Sequence, residues 1–174
     1  MTLFCIYESN HGITQLKWKR KLNEQGNRED MGVNWTLVIR NIKRQEAGLY
    51  KCTVTNRAGY ESYYISVVVQ YPPTVQFKFE ESEYSRELEC IPKGIPDRYS
   101  FNQWEHKSEY MEHIRFLPYY GSGKLVIPFE SGETDRHHDK GIYICNVSNN
   151  VSFSDKRFIS ANYFLNASGK MFFI

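Results

Sequence analysis

"EAGLYKC" spans Glu46–Cys52 and "DKGIYIC" spans Asp139–Cys145. Both read acidic, any, Gly, any, Tyr, any, Cys. A seven-residue phrase written twice, 93 residues apart in a chain of 174, predicts two copies of one unit. Working back from each copy, the same signposts recur. Cys5 and Trp18 precede the first phrase, and Cys90 and Trp104 precede the second. Cys-to-Trp separations are 13 and 14 residues, and Cys-to-Cys separations are 47 and 55. Four cysteines allow three pairings. The repeat selects Cys5–Cys52 and Cys90–Cys145, one bridge within each copy.

Between these signposts the pattern is that of strands. "WTLVIR" puts Trp35, Leu37 and Ile39 on one face and Asn34, Thr36 and Val38 on the other. "YYISVVVQ", "TVQFKFE" and "GKLVIPF", the last with Leu125 and Ile127 alternating, are rich in β-branched and aromatic residues. "RNIKRQEAG" permits a helix, but Gly48 closes it early, so a turn or brief helix is expected there. Short strands punctuated by turn residues predict an all-β sandwich or barrel. In "QYPPTVQ", Pro72 and Pro73 restrict their own φ angles and the geometry of the residue before them. A short, semi-rigid linker is expected at residues 71–74, between a first domain at 1–70 and a second at 75–168, with 169–174 leading onward.

Cys, Trp and the full phrase, twice in register, resemble two consecutive immunoglobulin-superfamily domains of the I-set or C2 kind. The resemblance covers nearly the whole chain. It implies that Trp18 and Trp104 pack against disulfides joining facing sheets, and that Tyr50 and Tyr143 are tyrosine corners bonding back to nearby backbone. Gly48 and Gly141 fall where the chain turns into the strand bearing the second cysteine. Leu37, Ile39, Leu125 and Ile127 match the inward positions of strand E. Two departures stand out. Glu46 replaces the usual Asp, and Cys5 lies so near Met1 that the first domain is expected to lack its A strand. The chain is therefore expected to be a segment of a longer, multi-domain protein, or an incomplete gene product in which Met1 is a false start.

Composition narrows the chemistry. A net charge of +2 gives no reason to expect a nucleic-acid partner, and the basic run Lys17, Lys19, Arg20, Lys21 reads as decoration of an exposed strand and turn. No apolar run is long enough to span a membrane, and "MTLFCIYES" lacks the features of a secretory signal. Four acceptor sequons, at Asn34, Asn146, Asn150 and Asn166, nevertheless favour the secretory route. Glycans at Asn146 and Asn150 would crowd the last turn of the second domain and the strand before it. His137 and His138 in "DRHHDK" lack a third ligand at helical spacing, so a solvated loop is expected rather than a metal site. "YYGSGK" lacks the setting of a phosphate-binding loop. No cofactor, metal, small-molecule substrate or enzymatic activity is expected.

The resemblance implies non-enzymatic protein recognition or adhesion at the cell surface or outside the cell, with other proteins, or copies of itself, as partners. Exposed tyrosines are the best contact candidates, because Tyr anchors interfaces with little entropic loss. These are Tyr60, Tyr63 and Tyr64, then Tyr119 and Tyr120. Two alternatives stay open: structural modules inside muscle cells, and the ectodomain of a receptor kinase or phosphatase.

Overall fold

A computed structural model describes residues 1–8, 12–21, 28–82, 85–118, 120–127 and 137–166. The chain divides into two compact units, Met1–Val69 and Gln70–Ile174.

The first unit has two sheets. One pairs β1 (Thr2–Phe4) with β4 (Thr36–Val38). The other has the order β3 (Arg28–Gly32), β2 (Ile13–Lys21), β5 (Gly48–Asn56) and β6 (Gly59–Val67), all antiparallel. Alternation decides what each strand buries. Leu16 and Trp18 on β2 and Tyr50, Cys52 and Val54 on β5 meet Leu3, Leu37 and Ile39 in one apolar core. Among the described residues no strand pairs the other side of β1.

The second unit repeats the plan with more strands. β7 (Tyr71–Glu81), β8 (Arg86–Ile95) and β12 (Lys124–Ile127) form one sheet. The facing sheet runs β11 (His113–Leu117), β10 (Trp104–Lys107), β13 (Gly141–Ser148), β14 (Ile159–Leu165), with the short β9 (Ser100–Phe101) also on β13. Leu88, Trp104, Leu125, Ile127, Tyr143 and Val147 centre the core, and Phe77 tilts against Trp104 and Tyr163 at 6.3 and 5.6 Å. Short 3-10 turns at Arg44–Glu46 and His137–Asp139 lead into β5 and β13. Both units are sandwiches, and the architecture is all-β.

Two local expectations need correction. Residues 71–74 form the start of β7 rather than a linker. Tyr71 pairs with Ile95, and a register shift before Thr74 accommodates Pro72 and Pro73 on an edge strand, where a missing N–H costs nothing in the ladder. Trp35 does not join Leu37 and Ile39 inside, because β4 begins only at Thr36. The preceding bend leaves the Trp35 ring about half exposed and turns its carbonyl to the Cys5 N–H at 2.9 Å. Residues 169–174 lie outside the described residues.

Candidate recognition surfaces

Each repeated phrase builds a corner. Cys5 is bonded to Cys52 and Cys90 to Cys145, with Cα atoms 6.2 and 6.4 Å apart, tying the two sheets within each unit. Trp18 and Trp104 are buried beside them. The Tyr50 hydroxyl donates to the Glu46 carbonyl at 2.7 Å, and the Tyr143 hydroxyl to the Asp139 carbonyl at 2.9 Å. Burial raises the Tyr143 hydroxyl well above the ordinary tyrosine range.

The acidic residue opening each phrase does different work in the two units. Glu46 accepts the Lys43 backbone N–H at 2.6 Å, a cap on an exposed turn. Asp139 is buried. One of its oxygens accepts from Arg86 at 3.2 Å, and the other lies 3.7 Å from Arg115. Arg86, equally buried, also donates to Glu81 at 2.6 Å. Next to this network His106 stacks on Tyr143, centroids 4.4 Å apart, and its Nε2 donates to the Lys140 carbonyl at 3.1 Å. Burial, more than any neighbour, holds this imidazole below the usual histidine range. Arg20 takes the corresponding place in the first unit, donating to the Gln45 carbonyl and to Glu29.

The sequon asparagines fall in unlike settings. Asn34 is exposed in the bend before β4, and its carbonyl accepts the Trp18 indole N–H at 2.9 Å. Asn150 is exposed at φ +64 in the turn after β13. Asn146 is half-buried on β13 with its Oδ1 held by the Ser160 hydroxyl at 2.5 Å, and Ser148, the hydroxyl residue of its sequon, is buried. Asn166 is half-buried, while the rest of its sequon lies outside the described residues. The histidine pair occupies the turn at His137–Asp139. Among the described residues no three His, Cys, Asp or Glu side chains are grouped to hold a metal.

Of the candidate tyrosines, Tyr60 and Tyr64 project from the outward face of β6 at 76% and 54% exposure. Tyr63 points to the other side, and Tyr120 is exposed in the loop before β12. Tyr119 lies outside the described residues. Sequence reasoning missed a second surface. Phe116 and Ile114, on the edge strand β11 of the second unit, are 58% and 48% exposed. Phe116 pairs with Glu105, which pairs with Ile144; the next row brings Lys107, Ile142 and Phe164 together. On this outward sheet face Phe116 and Ile114 of β11 are separated from Ile142 and Phe164 of β13 and β14 by Glu105 and Lys107 of β10; Glu105 lies 2.9 Å from His113 Nδ1 and 3.5 Å from Lys107 Nζ. "HIRFL" gave only an ambiguous signal, since it places apolar residues at both parities.

No family model matches the chain. It is 24% identical to mouse Hemicentin-2 over 162 residues, covering 90% of this chain and 3% of that protein. Over 40 residues it is 45% identical to the chicken cell adhesion molecule DSCAML1, covering 23% of this chain and 2% of that protein. Human Palladin is 31% identical over 87 residues, which is 45% of this chain and 6% of Palladin. The chain thus spans only a few per cent of these relatives. Among solved structures, the N-terminal four Ig domains of Dscam1 isoform 6.44 superimpose with a TM-score of 0.52 at 19% identity, covering 95% of this chain and 40% of that one. The N-terminal eight Ig domains of DSCAM isoform 1.30.30 give 0.50 at 19% identity, covering 97% and 21%. With two disulfide-tied sandwiches, each closed by a tyrosine corner, the chain carries the immunoglobulin-like fold twice in tandem.

Proposed function

We propose that the chain recognises other proteins without catalysis, as part of an adhesion protein displayed at the cell surface or in the extracellular space. The observation that carries this reading is the outward face of β11–β10–β13–β14, where Phe116 and Ile114 stay exposed on the edge strand and half-buried Ile142 and Phe164 lie across the charged row of β10. Large apolar side chains left exposed on one sheet face mark a protein-interaction site. Two buried bridges and the exposed sequon residues Asn34 and Asn150 support an oxidising, secretory setting. The likeness to hemicentins and to cell adhesion molecules supports the role. Asn146 stands at one end of the same face, so a glycan there would restrict docking to the β11 side.

The test uses beads coated with the chain, scored for mutual aggregation and for attachment to cultured cells. Wild-type beads are expected to bind at least one of these surfaces, and Ile114→Asp with Phe116→Asp to abolish it while the near-UV spectrum is unchanged. No binding to either surface, or full binding by the variant, would overturn the reading.

A further inference from the structure

The basic run at Lys17–Lys21 acquires a meaning that its order in the chain conceals. Strand alternation splits it. Trp18 enters the core and Arg20 the rim of the corner, whereas Lys17, Lys19 and Lys21 share the outward parity of β2. Pairing then sets Lys51 of β5 opposite Lys19, and Arg28 of β3 opposite Lys21. Asp30 lies between two of the lysines, 3.0 Å from Lys17 and 3.8 Å from Lys19. It is the one carboxylate that these four strands direct outward among the described residues. Five cations and one carboxylate thus share a single sheet face, in a chain whose whole net charge is +2.

We propose that this face binds a sulfated polysaccharide. Neighbouring cations stand about 5 Å apart across strands and about 7 Å apart along one, so a chain bearing repeated anionic groups can engage several at once. The space between them is lined by Gln15, Thr53 and Thr55, with the Thr53 and Ser62 hydroxyls 3.0 Å apart. Amide and hydroxyl groups of this kind suit sugar hydroxyls and sulfate oxygens. Tyr60 and Tyr64 flank the patch on β6, and the Lys51 ammonium sits 5.6 Å from the Tyr64 ring centre. Exposed rings at that margin can pack against a pyranose face.

An acidic protein fits less well. Protein interfaces concentrate their binding energy in a desolvated aromatic or apolar centre, and here the centre is made of ammonium and hydroxyl groups. A nucleic acid fits less well too, because the Cys5–Cys52 bridge in the same unit belongs to oxidising compartments, where sulfated sugars are the abundant polyanions. The proposal concerns the first unit and does not rest on the Phe116 face of the second.

The experiment passes the whole chain over immobilised heparin at about 0.15 M salt, where charge attraction is already screened beyond about 8 Å. Binding is expected to weaken steeply as salt rises. It should fall about tenfold or more with N-desulfated heparin or with Lys17→Ala/Lys19→Ala/Lys51→Ala. Lys78→Ala/Lys124→Ala, on the second unit, should bind as wild type. Single Lys19→Ala and Lys51→Ala variants read the same loss in smaller steps if the triple variant misfolds. No binding by the wild type, equal binding by the lysine variants, equal loss in the second-unit control, or equally tight binding to double-stranded DNA would each overturn the proposal.

Discussion

Neutralising the acid that opens each repeated phrase should have very different costs in the two units. Asp139→Asn keeps the backbone carbonyl that receives the Tyr143 hydroxyl but removes the charge facing Arg86 and Arg115. Breaking one partner out of a buried ion pair costs about 3–5 kcal/mol. Arg86 retains Glu81, which is more exposed, so the lower end applies, about 3 kcal/mol. For a unit of this size that is a fall in Tm of about 12 °C or more. Glu46→Gln makes the contrast. The amide oxygen can still accept the Lys43 N–H, and the turn is exposed, so the loss should stay below about 0.5 kcal/mol. Hydrogen exchange read by mass spectrometry on the whole chain resolves the units through peptides containing Tyr50 and Tyr143. If Asp139→Asn lowers protection in the second unit no more than Glu46→Gln does in the first, the buried network does not stabilise the second unit.

Other outcomes follow from the same geometry. Burial lowers the proton affinity of His106 in the folded state, and its buried Nδ1 has no hydrogen-bond partner among the described residues. The unfolded chain therefore binds the extra proton first, and the second unit should lose stability as pH falls below about 6.5, a loss absent in His106→Phe under acid titration of its unfolding. Gly141→Ala should destabilise far more than Gly59→Ala. Both residues have φ near +145, but a Cβ at Gly141 would meet the Lys107 carbonyl and the His106 ring, whereas at Gly59 it meets nothing. Comparative thermal melts would show it. The bridges close loops of 47 and 55 residues, worth about 4 kcal/mol each in the chain-entropy model, so adding dithiothreitol should unfold both units, the first sooner because among the described residues its β1–β4 sheet has two strands. Glycopeptide mapping after secretion should find Asn34 and Asn150 more fully occupied than Asn146, whose amide is engaged by Ser160.

Features carried by short-range pattern were legible in the residues. The inward Leu37, Ile39, Leu125 and Ile127 follow from period-two alternation, the brief turn before β5 from Gly48, and the buried Trp and Tyr pairs from the family resemblance of the repeated phrase. Features set by pairing were not. Nothing near Lys51 announces that it will stand beside Lys19, because register between distant strands is decided by how two whole faces bury. Trp35 misled for a related reason, since alternation was carried one residue past the true start of β4. Asn149 is another case. It reads as a loop residue, yet it is buried and donates to the carbonyls of Tyr71 and Pro96 at 2.8 and 3.0 Å. Only the folded backbone supplies those acceptors.

The alternation in β2 has a consequence for how such a module can change over time. Trp18 and its inward neighbours answer to folding, while Lys17 and Lys19 answer to what lies outside, and the two sets interleave on opposite faces of one strand. Replacing outward residues can retune the choice of ligand at little thermodynamic cost, so one scaffold can diverge into many specificities. Inserting or deleting a single residue within the strand would transpose the sets, drive ammonium groups inward and put the indole in water.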